Sequence, residues 1–242
     1  MYRPVEALTA LRNMHRYSNQ EQTQGWDEIV TEAEYAIQLD DQEFGRLLCL
    51  PSHLEWLAAG HLALAGRLTH PGEIADMAVD VPGNTVRVRT RSAGDARPPA
   101  PAAGELRMTP EEIRGLSGQL PVISALFRRT GGVHTGGLAG KDSLLFIIED
   151  TGRHNVLDKI YGRCFLEGIP LGDKALLFSG RSTGKIVMKL ERMGIPMIIA
   201  RGAPTTLAVD LAERAGITLI AFARPDRMSV FTHHRRVTGG LY

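Results

Sequence analysis

The sequence predicts an α/β fold with βαβ crossovers, and three observations predict it. Apolar runs of strand length occupy residues 144–148, 175–178, 197–200 and 218–222, each too short for a helix. Between them lie helical patterns with i, i+4 apolar faces: Ile160 and Cys164, then Ile186, Leu190 and Met193, then Leu207, Leu211 and Ala215. Each run ends in a polar turn. Strands alternating with helices in this way imply a mainly parallel sheet with right-handed crossovers, and so bring the turns to one edge.

The composition suits such a domain. The chain has 242 residues, 43% hydrophobic and 23% charged, which is ordinary for a soluble protein and enough to bury a full core. A net charge of +1 gives no global reason to expect nucleic acid or an anionic membrane as partner. The polar start lacks a signal-peptide apolar core, and no run reaches membrane-spanning length, so a soluble, cytoplasmic protein is expected. Cys49 and Cys164 are the two cysteines and form no CxxC pair, so neither a zinc site nor a disulfide framework is signalled.

Taken in order, residues 1–25 read as a weakly ordered leader. Residues 26–90 read as a smaller N-terminal β/α subdomain. Alternation at 34–39 and 44–49, with Asp40 and Asp41 between, predicts a hairpin. Ser52 with Glu55 three residues on predicts a capping box, and Leu54, Leu57, Ala58 and Leu62 supply the helix face that Gly66 ends. Cys49 precedes that helix among Leu47, Leu48 and Leu50, an apolar setting that favours a buried thiol over a reactive one. Residues 85–90 alternate as a strand with one solvated basic face. Residues 91–104 are rich in Pro, Ala and Gly without apolar periodicity and predict a flexible linker at a domain boundary.

Residues 105–242 form the larger α/β domain. Thr109, Pro110 and Glu112 combine an N-cap, a first-turn proline and a capping glutamate, with Ile113, Leu116 and Leu120 following. A second helical piece covers 122–129 and runs into a glycine-rich segment, 130–137, around His134. The βαβ series comes next. Cys164 shares an apolar helix face with Ile160, an inert position. Residues 233–236, His-His-Arg-Arg, read as a solvated basic tail.

The chemistry is expected at the strand ends, where open α/β sheets bind ligands. The turn 149–155, EDTGRHN, supplies Asp150, Arg153 and His154; 179–185, 201–206 and 223–227 supply Arg181, Arg201, Arg224 and Arg227. That much positive charge on one edge calls for an anion, and Gly152, Gly180, Gly184 and Gly202 let backbone approach one closely. A phosphate-bearing ligand is the natural candidate. The segment 179–185 is not a Walker A loop, because Ser179 stands at its first glycine and Ile186 at its Ser/Thr.

These motifs resemble one family. TGGVHTGGL at 130–138, EDTGRHNVLDKI at 149–160, SGR at 179–181 and GAPTTLAVDLAERAGITLIAFARPDRMSVFTH at 202–233 are similar to segments of the formate dehydrogenase accessory sulfurtransferases, FdhD, over roughly residues 34–237. The CLP at Cys49 resembles the family's CTP, which gives Cys49 a structural role. The resemblance implies a cytoplasmic homodimer with a cytidine deaminase-like mixed sheet. Such a protein takes sulfur from a cysteine desulfurase and helps install it on the molybdenum or tungsten bis(molybdopterin guanine dinucleotide) cofactor of formate dehydrogenase or a related apoprotein.

By the same resemblance, Phe222, Ala223, Arg224, Pro225, Asp226 and Arg227 lie on that cofactor. With the strand-end residues they form one expected site for it, or for GDP-like ligands: His134, Asp150, Arg153, His154, Asn155, Ser179, Gly180 and Arg181. No resident metal, nucleic acid or membrane is expected. Deaminase chemistry is not implied, because His134 is not followed by the HxE glutamate and no PCxxC follows. The family's CxxC, whose first cysteine carries the persulfide, is replaced at 92–97 by SAGDAR. Since a persulfide carrier must be a thiolate, two readings stand beside the family's: a cofactor chaperone without sulfur transfer, or transfer through Cys49 or Cys164. A more remote reading is a nucleotide-binding hydrolase or regulator with Asp150 and His154 as acid and base.

Overall fold

The computed structural model describes residues 7–91, 105–141 and 143–239. Where the sequence reading expects a leader, strands β1 (Thr9–Tyr17) and β2 (Gln22–Val30) pair antiparallel along their full length. This corrects the expectation of a leader for residues 9–25, since a boundary at 25 would cut through β2; residues 1–6 lie outside the described residues. The ribbon lacks the apolar alternation that marks a half-buried strand, since neither face is covered; Leu11 and Trp26 are 63% and 68% exposed. Its base is held where Leu8 and Val30 pack on Leu50, Leu126 and Val133 and where Arg129 pairs with Glu28.

Strands β3 (Ala33–Leu39) and β4 (Gln42–Cys49) form the expected hairpin. Asp40 and Asp41 turn it with φ of 49° and 64°, the left-handed pair that a two-residue hairpin turn needs. The four-stranded sheet has order β4-β3-β6-β5, with β6 (Thr85–Thr90) parallel to β3 and β5 (Ile74–Asp80), absent from the sequence reading, along its other side. Helix α1 (Leu54–Leu64) packs against this sheet. Its N-cap is His53, in the left-handed region and without a side-chain cap bond. The Ser52–Glu55 capping box therefore does not form; the Ser52 hydroxyl accepts instead from Lys159.

In the larger layer α2 (Pro110–Ile123) starts with the expected capping box, Thr109 and Glu112 bonding reciprocally at 3.2 and 2.7 Å. Helix α3 (Ala125–Thr130) follows after a break at Ser124. From His134 onward the glycine-rich segment is β7 (His134–Ala139), in the interior of the sheet. Its glycines make room, since a Cβ on Gly136 would stand 2.5 Å from Val156 Cγ1 and one on Gly137 2.8 Å from Leu144. Glycine in a strand often marks such a close approach.

The βαβ series is as predicted: β8 (Leu144–Asp150), α4 (Arg153–Glu167), β9 (Ala175–Phe178), α5 (Gly184–Met193), β10 (Met197–Ala200), α6 (Thr206–Ala215) and β11 (Thr218–Ala221). With β12 (Ser229–Val230) the sheet order is β12-β11-β10-β9-β7-β8. β8 to β11 run in one direction, but β7 lies antiparallel between β8 and β9, so the sheet is mixed. Helices α4, α5 and α6 cover one face and α2 the other. All four polar turns, and the start of β7, therefore meet at one edge.

Two further features fix the frame. Helices α1 and α4 touch backbone to backbone, because a Cβ on Gly60 would run into the Asp158 carbonyl and one on Gly162 into the Trp56 carbonyl. The N-terminal subdomain is thus packed onto the larger domain. The segment at 233–236 is not a solvated tail: it forms a 3-10 turn in which Arg236 donates to Gly216 O at 2.7 Å, and an imidazole nitrogen of His233 lies 2.8 Å from Glu213 O.

Candidate functional site

The turn after β8 sends its side chains in three directions. Asp150 and Asn155 point inward. Asp150 is fully buried; its Oδ1 accepts from Gly152 N at 2.8 Å and Asn155 Nδ2 at 2.9 Å, while Oδ2 lies 2.5 Å from the Lys159 ammonium. Lys159, also fully buried, donates to Leu50 O at 3.0 Å, and Asn155 to Leu48 O at 2.7 Å. These residues staple the segment carrying Cys49 to the strand end, so the polar groups of Asp150 and Asn155 are engaged within the fold.

Thr151 faces a cleft of about 420 Å³. Leu120 and Pro121 of α2 and Phe127 of α3 wall it on the apolar side, opposite His134, Thr135, Ser179 and Arg201. Ser179 locks two strand ends together: its Oγ accepts from Thr135 N and its N donates to Thr135 O, both at 2.9 Å. Ser124 bonds Thr135 at 2.7 Å and Glu149 at 2.5 Å, and Glu149 also accepts from Phe127 N at 3.2 Å. Glu149 Oε1 is thereby engaged at the start of α3.

Arg153 stands close enough to act on His134. Burial and then the Arg153 charge hold the half-buried His134 below its ordinary value, against Asp150, so it is neutral at pH 7. Arg153 Nε and Thr151 Oγ1 are buried and have no hydrogen-bond partner, a rare and costly condition. Arg201 is depressed below its usual range by burial and by neighbouring Arg224. A Cβ on Gly202 would stand 2.5 Å from Gly180 O, so the second and third turns stack tightly beside the cleft. Arg201, a neutral imidazole and an unpaired hydroxyl line the cleft, with the Arg153 guanidinium close to His134, a set suited to a polyanion.

The remaining predicted residues divide. Arg181 is exposed. Gly180 is buried, with its would-be Cβ 3.7 Å from His134 Nδ1. Arg224 is used internally, donating to Arg201 O and Ala223 O at 2.9 and 2.8 Å, and Ala223 is buried. Phe222 is 42% exposed at a left-handed φ of 54°, a strained position for a bulky residue. Pro225 lies against Gly118, and Asp226 and Arg227 form an exposed pair at 3.3 Å. His154 leaves the cleft for a groove on the other side of the turn, beside His61, Lys185 and Lys189. Asp150 and His154 therefore do not form an acid/base pair.

Sequence reasoning missed Thr151, the α2–α3 wall and Lys159. A lysine on the buried face of α4, one turn before Arg163, was a legible sign of the last. Both cysteines are buried, and burial pushes the Cys164 thiol up to about 12. Residues 92–97, where the family's CxxC would fall, lie outside the described residues, as does most of the expected linker. Among the described residues no helix is long and apolar enough to cross a membrane, and no group of three or more His, Cys, Asp and Glu could hold a metal.

The FdhD/NarQ family model matches residues 30–102 and 92–238. The chain belongs to the FdhD/NarQ family. It is 33% identical to the sulfur carrier protein FdhD of Bacillus licheniformis, over 95% of this chain and 97% of that one. The FdhD of Bacillus subtilis is 32% identical over 96% and 98%. Among solved structures, a formate dehydrogenase accessory protein from Desulfotalea psychrophila superposes with a TM-score of 0.84 at 31% identity, covering 95% of this chain and 99% of that one. The mixed α/β architecture is thus that of an FdhD structure.

Proposed function

We propose that this protein is an FdhD-type formate dehydrogenase maturation factor that binds the bis(molybdopterin guanine dinucleotide) cofactor as cargo and passes it on without carrying sulfur itself. The observation that carries the binding half is the unpaired Thr151 hydroxyl in a cleft that Arg201 also lines, with the unpaired Arg153 Nε two residues further along the same turn. About 420 Å³ falls in the range of small-molecule sites, enough for one nucleotide-sized portion of such a cargo. The apolar α2–α3 wall suits a base and the arginine side suits phosphate. The cytidine deaminase-like arrangement serves here as a scaffold only.

The chaperone reading is preferred to sulfur transfer because the chain's two cysteines are both buried, and the Cys164 thiol lies far from ionisation at pH 7. The remaining parts of the reading come with the family: a cytoplasmic homodimer that works between a cysteine desulfurase and a formate dehydrogenase apoprotein. Calorimetry with GDP tests the site; micromolar binding is expected, and no binding of GDP or cofactor ends the assignment. Incubation with a cysteine desulfurase and labelled cysteine tests the second half. No protein-bound persulfide is expected, and a persulfide on Cys49 or Cys164 would restore the sulfur-carrier reading.

A further inference from the structure

The cleft does not use the groove on the far side of the 149–155 turn, which has a volume of about 350 Å³ between α1, the start of α4 and α5. Helix α5 turns Ile186, Val187, Leu190 and Met193 into the core. Its opposite stripe, at i, i+3, i+4 and i+7, is Lys185, Met188, Lys189 and Arg192, and all four line the groove. Lys185 is exposed and Met188 is 47% exposed. Arg192 donates to Leu64 O and forms no ion pair with a described residue. Lys189 pairs with the buried Asp158, which also bonds His61 at 3.1 Å. The buried Asp158 is thus taken up by Lys189 and His61, and Lys185 and Arg192 have no carboxylate partner among the described residues, while His154 is held below its ordinary value by burial, then Lys189 and Arg153.

The floor between the cations is apolar, formed by Leu64, Ala65 and Met188. A small phosphate would gain nothing from a thioether floor, and ammonium groups on exposed stems give no fixed fork for it. A peptide with separated carboxylates and an apolar side chain matches both the rim and the floor. We propose that this groove docks a protein partner through an acidic segment with an apolar residue between its carboxylates. Because Thr151 lines the cleft and His154 the groove, a partner seated there lies beside the cargo site without covering it.

The choice of probes rests on the proposed function: purified cysteine desulfurase and purified formate dehydrogenase apoprotein, each titrated against the full chain by biolayer interferometry. At least one should bind, more weakly as salt rises, and Lys185→Glu with Arg192→Glu should weaken it by about thirtyfold or more. Met188→Glu alone should cost about tenfold. GDP binding should match the wild type in both variants, which also shows them folded. The inference is overturned if neither protein binds, if the variants bind as the wild type does, or if inorganic phosphate or GDP binding is what the variants lose. Wild-type GDP binding with no groove effect sinks the groove alone; groove-dependent partner binding without GDP binding sinks the cargo site alone.

Discussion

At the 149–155 turn, Asp150 Oδ1 and Asn155 bond each other, Asn155 and Lys159 reach the carbonyls of Leu48 and Leu50, and Asp150 Oδ2, which has no hydrogen bond, is closed by the Lys159 ammonium 2.5 Å away. Less than one helical turn away, Arg153 Nε and Thr151 Oγ1 have no partner although they are equally hidden from water. The same sequence motif thus holds a closed polar network and an open one. A closed network fixes structure; an open one awaits a ligand that supplies the missing acceptors. Chemical character does not separate the two sets, since each contains a cation and a hydrogen-bonding neutral group. Partnership does.

The largest expected effect breaks the closed side. Lys159→Met leaves the buried Asp150 charge uncompensated and should cost about 3–5 kcal/mol in denaturant unfolding, with the double variant Asp150→Asn, Lys159→Met recovering part of it. A cost below about 1 kcal/mol would show the pair to be unimportant. On the open side Arg153→Ala should do the reverse: stability within about 1 kcal/mol of wild type, GDP affinity down about tenfold or more.

A smaller effect comes with pH. Burial, then the Lys159 and Arg163 charges, push His53 down to about 4, so its neutral form is favoured in the folded chain. Its stabilising contribution is complete above the unfolded value near 6.5 and is lost as pH falls toward 4. The unfolding midpoint should drop between pH 7 and pH 5, and less so in His53→Asn. The smallest effect is on His134: an anion seated beside it favours the imidazolium, so GDP should move its titration upward by NMR. An unmoved His134 would place the nucleotide elsewhere.

The βαβ layer was legible because each strand buries both faces and reads as a continuous apolar run, as in Met197–Ala200, which is buried throughout. β7 was not, because the glycines that let Val156 and Leu144 approach are also loop signals. The β1–β2 ribbon was hidden for the opposite reason: with no buried face it has no alternation to read. In the site, the arginine-rich edge was visible as a set of turns. The division of residues within one turn was not, because it depends on Lys159 and on the Leu48 and Leu50 carbonyls, more than a hundred positions from the groups they meet.

The central claim is that the open side binds a guanine nucleotide through Arg153 and Arg201. Calorimetry of GDP against wild type and the Arg153→Ala, Arg201→Ala double variant tests it most directly. Micromolar binding by the wild type and loss of about a hundredfold in the folded double variant are predicted; equal affinity in both, or none in the wild type, would contradict it.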